Sequence, residues 1–108
     1  MEPELQSSFD LKADVLKALA HPTRLFLIDE LAREERCVND LTDLVGADIS
    51  TVSKHLSVLK NAGVVVTERR GTQVYYSLRS SCVLHFFECI DKVLKERAEE
   101  ELETTGSQ

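Results

Sequence analysis

The chain has 108 residues, 43% of them apolar, and a formal net charge of −6. That length supports one domain with one modest core, and no apolar run approaches the roughly 18 residues that a membrane crossing needs. The acidic opening, MEPELQSSFD, has no hydrophobic signal core, so a cytoplasmic protein with three reduced cysteines is expected.

Residues 1–8 read as a disordered N-terminus. Leu11, Val15, Leu16 and Leu19 then recur at helical spacing. His21-Pro22 breaks this first helix, and Pro22 suits the opening turn of a second. The second helix, Arg24 to Arg33, carries Leu25, Ile28, Leu31 and Ala32 on one face. Cys37 precedes a short third helix, Val38–Val45, stopped by Gly46. Asp48 is a good N-cap for a fourth, and Asn61-Ala62-Gly63 is a good stop. Residues 64–70 and 72–78 are rich in β-branched and aromatic side chains and flank Gly71, which reads as a hairpin. Ser80 or Ser81 caps a last helix that runs to about Arg97, and residues 98–108 read as an acidic disordered tail. The expected fold is mainly α with a small β-hairpin, in a single domain over residues 9–97. Its order is four helices, a hairpin and a helix.

The fourth helix is the most specific signal. Ile49, Val52, Leu56 and Leu59 repeat at spacings of three and four and predict a buried stripe. Ser50, Thr51, Ser53, Lys54 and Ser57 fall mainly on the other side. Hydroxyls and a lysine on a helix meet base edges and phosphates in a major groove, and small side chains allow close approach. With the third helix and the tight Gly46-Ala47 turn this makes a helix-turn-helix. Arg69, Arg70 and Gln73 stand at the hairpin tip, where a wing would reach backbone phosphates or the minor groove. His55 adjoins the apolar stripe and reads first as a packed, hydrogen-bonded residue, although it stays among the DNA-binding candidates. The bland alternative is a solvated polar face and a charged turn.

Charge distribution removes the objection that an acidic chain avoids nucleic acid. Residues 48–80 carry five cations against two carboxylates, a balance of +3, which leaves −9 on the remainder. A basic patch on an acidic body concentrates attraction at one face. The chain has no phosphate-cradling glycine loop and no nucleophile with a recognisable base, so no enzyme is expected.

The segments LKALAHPTRLFLIDEL, CVNDL, STVSKHLSVLKNAGVV and GTQVYYSL, in this order, resemble the ArsR/SmtB family of winged-helix repressors. The resemblance covers roughly residues 11–95. It implies a winged helix-turn-helix homodimer joined through its first and last helices. It also implies double-stranded operator DNA as partner, and a ligand that lowers operator affinity.

The sensing site must be read from the cysteines. Arsenic- and cadmium-type members carry CVCDL where this chain has Cys37-Val38-Asn39-Asp40-Leu41, so the second sulfur is absent, and Thr42 replaces a third. The zinc-type set aligns with Ser80, Cys82, Val93 and Glu96 and is essentially missing. Persulfide-type members use a cysteine in the second helix, and none stands between Pro22 and Glu35. Cys37 occupies a capping slot that serine or threonine fills better, and a helix start beside Arg36 favours a thiolate. Cys82 and Cys89 share one stripe with Phe86 and Val93. They are ~10.5 Å apart along an unbroken helix, too far for one ion or one disulfide between them. The expected site therefore combines Cys37 with Cys82, Cys89 or both, within one chain or across the dimer. Three soft sulfurs favour arsenite or another thiophilic ion as inducer, with no permanently bound cofactor. The alternatives are a thiol-redox-responsive repressor that uses the same cysteines, and a protein-interaction adaptor.

Overall fold

Leu27, Ile28, Leu41, Val52, Leu56, Leu59 and Val65 are the large side chains fully removed from solvent, and they mark where the elements meet. In the computed structural model, which describes residues 1–106, the order is α1 (Pro3–Leu19), α2 (Pro22–Arg33), β1 (Arg36–Cys37), α3 (Val38–Val45), α4 (Ile49–Asn61), β2 (Val65–Arg70), β3 (Gln73–Leu78) and α5 (Cys82–Gly106). Leu19 closes the core from α1, and Tyr76, Leu78, Val83 and Phe87 pack against it.

Local chemistry accounts for most boundaries. His21 caps α2, its Nδ1 accepting from the Thr23 N–H at 3.1 Å, and Pro22 follows in the first turn. Gly46 ends α3 in the left-handed region at φ 76°, where its N–H reaches the Thr42 carbonyl. Asp48 caps α4 by accepting from the Thr51 N–H at 2.8 Å. The wing turns on Gly71-Thr72, since Arg70 pairs with Gln73. Gly71, at φ 63°, takes the first loop position, which demands a positive φ in a two-residue hairpin.

The sheet is larger than a hairpin. Strand β1 pairs antiparallel with β3, Arg36 facing Tyr76 and Cys37 facing Tyr75, so the order is β1-β3-β2. Two residues carry no alternating pattern, and this strand exists only because β3 offers it a partner.

Both termini are more helical than expected. Residues 3–8 belong to α1, which begins with Pro3 in the first turn beside Glu4. Gln6 donates to Asp10 at 2.9 Å and Lys12 to Ser8 at 3.0 Å, each four residues apart. Residues 98–106 continue α5, where Ala and Glu are strong helix formers. The last two residues of the expected tail, 107 and 108, lie outside the described residues.

Not every apolar side chain at helical spacing lies in the core of one chain. Leu25 is 37% exposed, and Leu27, two residues on, joins the expected Ile28 and Leu31 in the buried face of α2. Leu11, Val15 and Leu16 are exposed on α1, as are Phe86, Ile90, Val93 and Leu94 on α5. Periodicity identified an apolar face correctly here, but a single chain does not cover it.

Candidate nucleic-acid interface

Val52, Leu56 and Leu59 anchor α4 by one fully buried stripe. Steps of about 100° per residue place Ser50, Lys54 and Ser57 on the opposite side, with Thr51 alongside, and all four are exposed. Asn61 shares that face and is also exposed, a position the sequence reading passed over because it doubled as part of the helix stop. Ser53 is half-buried on the flank. Ile49, expected in the buried stripe, is 51% exposed, because the first turn of α4 projects beyond the core.

The start of α4 is a small polar assembly. Asp48 Oδ1 accepts from Ser50 Oγ at 2.7 Å and from the Thr51 N–H. These bonds, that from Ser50 foremost, hold the Asp48 carboxyl down to about 2. With its proton directed at a carboxylate, Ser50 presents acceptor lone pairs outward.

His55 does not join the groove-facing set. It lies half-buried on the α2 side, where its Nδ1 accepts from Arg24 Nε at 3.1 Å and its ring stands 4.4 Å from that of His21. Burial, then the neighbouring His21 and Arg24, push its pKa down, so the neutral ring suits this place. His55 is thus half-buried and hydrogen-bonded between α2 and α4.

On the wing, Arg69, Arg70 and Gln73 stand together at the tip, the two arginines exposed and Gln73 half-buried. The arginines differ in partners. Arg69 Nε donates to the Gly71 carbonyl at 3.4 Å. Arg70 makes a two-pronged contact with Glu35, one prong at 2.9 Å, and a further bond to Glu68 at 2.9 Å. Its guanidinium carbon lies 4.7 Å from the centre of the Tyr75 ring. The hydrogen bond from Arg70 holds the Glu35 carboxyl below its usual range, and the carboxylates raise Arg70 in return. Glu35 was not singled out from sequence, since a pair 35 residues apart leaves no local signal.

The cysteines separate into two environments. Cys37 occupies the N-cap of α3, is 7% exposed, and its sulfur makes no capping bond, in keeping with a slot that serine or threonine fills better. Cys82 and Cys89 are exposed. Helix α5 is continuous from Cys82 onward, which keeps that pair ~10.5 Å apart along the axis. Among the described residues of one chain, no three His, Cys, Asp or Glu side chains gather in a metal-holding group. The three-sulfur site is thus not assembled within one chain.

Helix-turn-helix, wing and three-stranded sheet define a winged helix-turn-helix protein. The sequence signature of the arsR family of bacterial regulatory proteins matches residues 21–67. The HTH-type transcriptional repressor SmtB of Mycobacterium tuberculosis is 37% identical over 83 residues, covering 77% of this chain; the chain spans 62% of that relative's length. The nodulation protein NolR of Rhizobium meliloti is 38% identical over 84 residues, covering 78% of this chain and 69% of NolR. The solution structure of Mb0332 from Mycobacterium bovis, described as a homodimeric winged helix-turn-helix DNA-binding domain, superposes with a TM-score of 0.80 at 33% identity, covering 93% of both chains. The chain belongs to the ArsR/SmtB family of bacterial regulatory proteins.

Proposed function

We propose that the protein is a homodimeric transcriptional repressor that binds duplex operator DNA and is released from it by chemistry at cysteine thiols. The observation that carries the DNA-binding part is the exposed face of Ser50, Lys54 and Ser57, with Thr51 alongside, opposite the buried Val52, Leu56 and Leu59. Those side chains meet base edges and phosphates, Ser53 borders them, and Arg69 and Gln73 bring the wing to the backbone. Dimerisation covers the apolar side chains exposed along α1 and α5, among them Phe9, Leu16, Phe86, Ile90 and Val93. A dimer presents two recognition helices to successive major grooves. The described helices include none long and apolar enough to cross a membrane, and the protein is proposed to act in the cytoplasm.

For the signal, the exposed Cys82 and Cys89 are the accessible thiols, and a site between them requires sulfurs from both subunits. A thiophilic ion such as arsenite, held there, releases DNA if it binds the DNA-incompetent arrangement of the dimer more tightly. Cys37 joins only if the β1–β3 pairing opens. The same exposure suits an oxidant, which makes the redox reading the alternative. The test is operator release, followed by fluorescence anisotropy, with arsenite, cadmium, zinc and peroxide in parallel. Release by arsenite or cadmium that is lost in Cys82→Ser or Cys89→Ser supports the ion-sensing reading. Release by peroxide alone replaces it with the redox reading. DNA binding that no addition weakens removes both.

A further inference from the structure

We infer that Arg70 is a positioning residue that clamps the wing, and that Glu35 and Glu68 occupy it in the manner of a phosphate and so keep its charge from DNA. The inference rests on the DNA-binding reading proposed above. Three segments converge on one guanidinium: Glu35 from the α2–β1 connection, Glu68 from β2 and Tyr75 from β3. Tyr75 faces Glu68 across the β2–β3 ladder and Cys37 across the β1–β3 ladder. Arg70 therefore reaches from the outer strand β2, over the central strand β3, to the residue just before β1. A planar two-pronged contact of this kind fixes orientation as well as charge.

The electrostatic consequence is specific. Two carboxylates against one guanidinium leave a net negative charge on this flank of the wing. A DNA phosphate offered to Arg70 must displace a carboxylate that already satisfies the same donors, so no cation is newly neutralised. Arg69 is different, because its guanidinium meets a neutral carbonyl at 3.4 Å and pairs with no carboxylate among the described residues. Of the two adjacent arginines, Arg69 is the phosphate ligand and Arg70 is the fastener.

The salt dependence of DNA binding separates these roles, because each phosphate neutralised contributes a slope of about 0.9 in log K against log salt. The full chain is titrated on its promoter DNA as wild type, Arg69→Gln, Arg70→Gln, Glu35→Gln/Glu68→Gln and the triple variant that adds Arg70→Gln to that pair. Amide exchange over residues 65–78 is followed in the DNA-free protein. Arg69→Gln, carried by both subunits of the dimer, is expected to make the slope shallower by about 1.8, or about 12-fold in affinity over a fourfold salt range. Arg70→Gln is expected to keep the wild-type slope while wing amides exchange faster. The double carboxylate variant frees Arg70 and steepens the slope by about the same amount, and the triple variant loses that gain. A slope loss in Arg70→Gln equal to that in Arg69→Gln would overturn the inference, as would unchanged wing exchange or a triple variant that keeps the gain. Failure of every variant and the wild type to bind DNA overturns the DNA-binding reading instead, and the exchange experiment still decides whether Arg70 holds the wing.

Discussion

Arg24 Nε donates to Nδ1 of His55 across 3.1 Å, and the same guanidinium reaches the Ala18 carbonyl at 3.3 Å. One side chain of α2 thereby joins the end of α1 to the recognition helix. The bond needs a free lone pair on His55, whose protonation would also set a cation beside Arg24 and the His21 ring.

This gives a pH dependence with a definite sign. The pKa of His55 lies below its ordinary 6.5 in the folded protein, so the unfolded chain takes up the proton first as pH falls. The stabilisation is full above 6.5 and is lost as pH drops through the depressed folded value. Thermal unfolding followed by circular dichroism should show Tm falling as pH drops below about 6.5. His55→Gln, whose amide oxygen still accepts from Arg24, should flatten that fall. A variant with the wild-type profile would assign the effect to other groups.

Leu56 is fully buried at the centre of the α4 stripe, so Leu56→Ala should cost about 2–5 kcal/mol in urea unfolding. Ile49→Ala, at a site 51% exposed, should change stability by no more than about 0.5 kcal/mol. Equal losses at the two positions would mean that Ile49 packs into a core after all.

Asp48→Ala removes the acceptor for both Ser50 and the Thr51 N–H. Amide exchange at Thr51 and Val52 should accelerate, whereas Asp48→Asn, which keeps an acceptor oxygen, should retain most of the protection. Because the Asp48 carboxyl is held to about 2, its contribution is full above its ordinary 3.8 and is lost progressively as pH falls toward about 2.

Native alkylation followed by mass spectrometry should modify Cys37 last of the three thiols, and readily only when urea opens the β1–β3 pairing, because its sulfur is buried while Cys82 and Cys89 are exposed. Rapid labelling of Cys37 in the folded protein would contradict its place in the core and return it to the front of the sensing candidates.

What could be read from sequence follows from the range of each interaction. The limits of α3 and α4 were legible because Gly46, Asp48 and the Asn61-Ala62-Gly63 stop act within four residues of the ends they set. The hydroxyl-and-lysine face of α4 was legible for the same reason, as a periodic pattern on one helix. Strand β1 was not, since two residues become a strand only beside Tyr75 and Tyr76. The contacts Arg24–His55 and Arg70–Glu35 join residues 31 and 35 apart, beyond any local pattern. On α1 and α5 the apolar stripes were visible, but an interface and a core share one periodicity. Periodicity alone does not tell them apart, and in one chain Leu16 and Phe86 are exposed.

The most direct test of the account is equilibrium binding of the reduced protein to duplex DNA from its own promoter, against a scrambled duplex of equal length and composition, at physiological salt. The account predicts promoter binding at least about 1,000-fold tighter than scrambled binding, weakened steeply by salt and by Lys54→Gln. Equal and weak affinity for the two duplexes, unchanged by Lys54→Gln, would contradict operator recognition by α4.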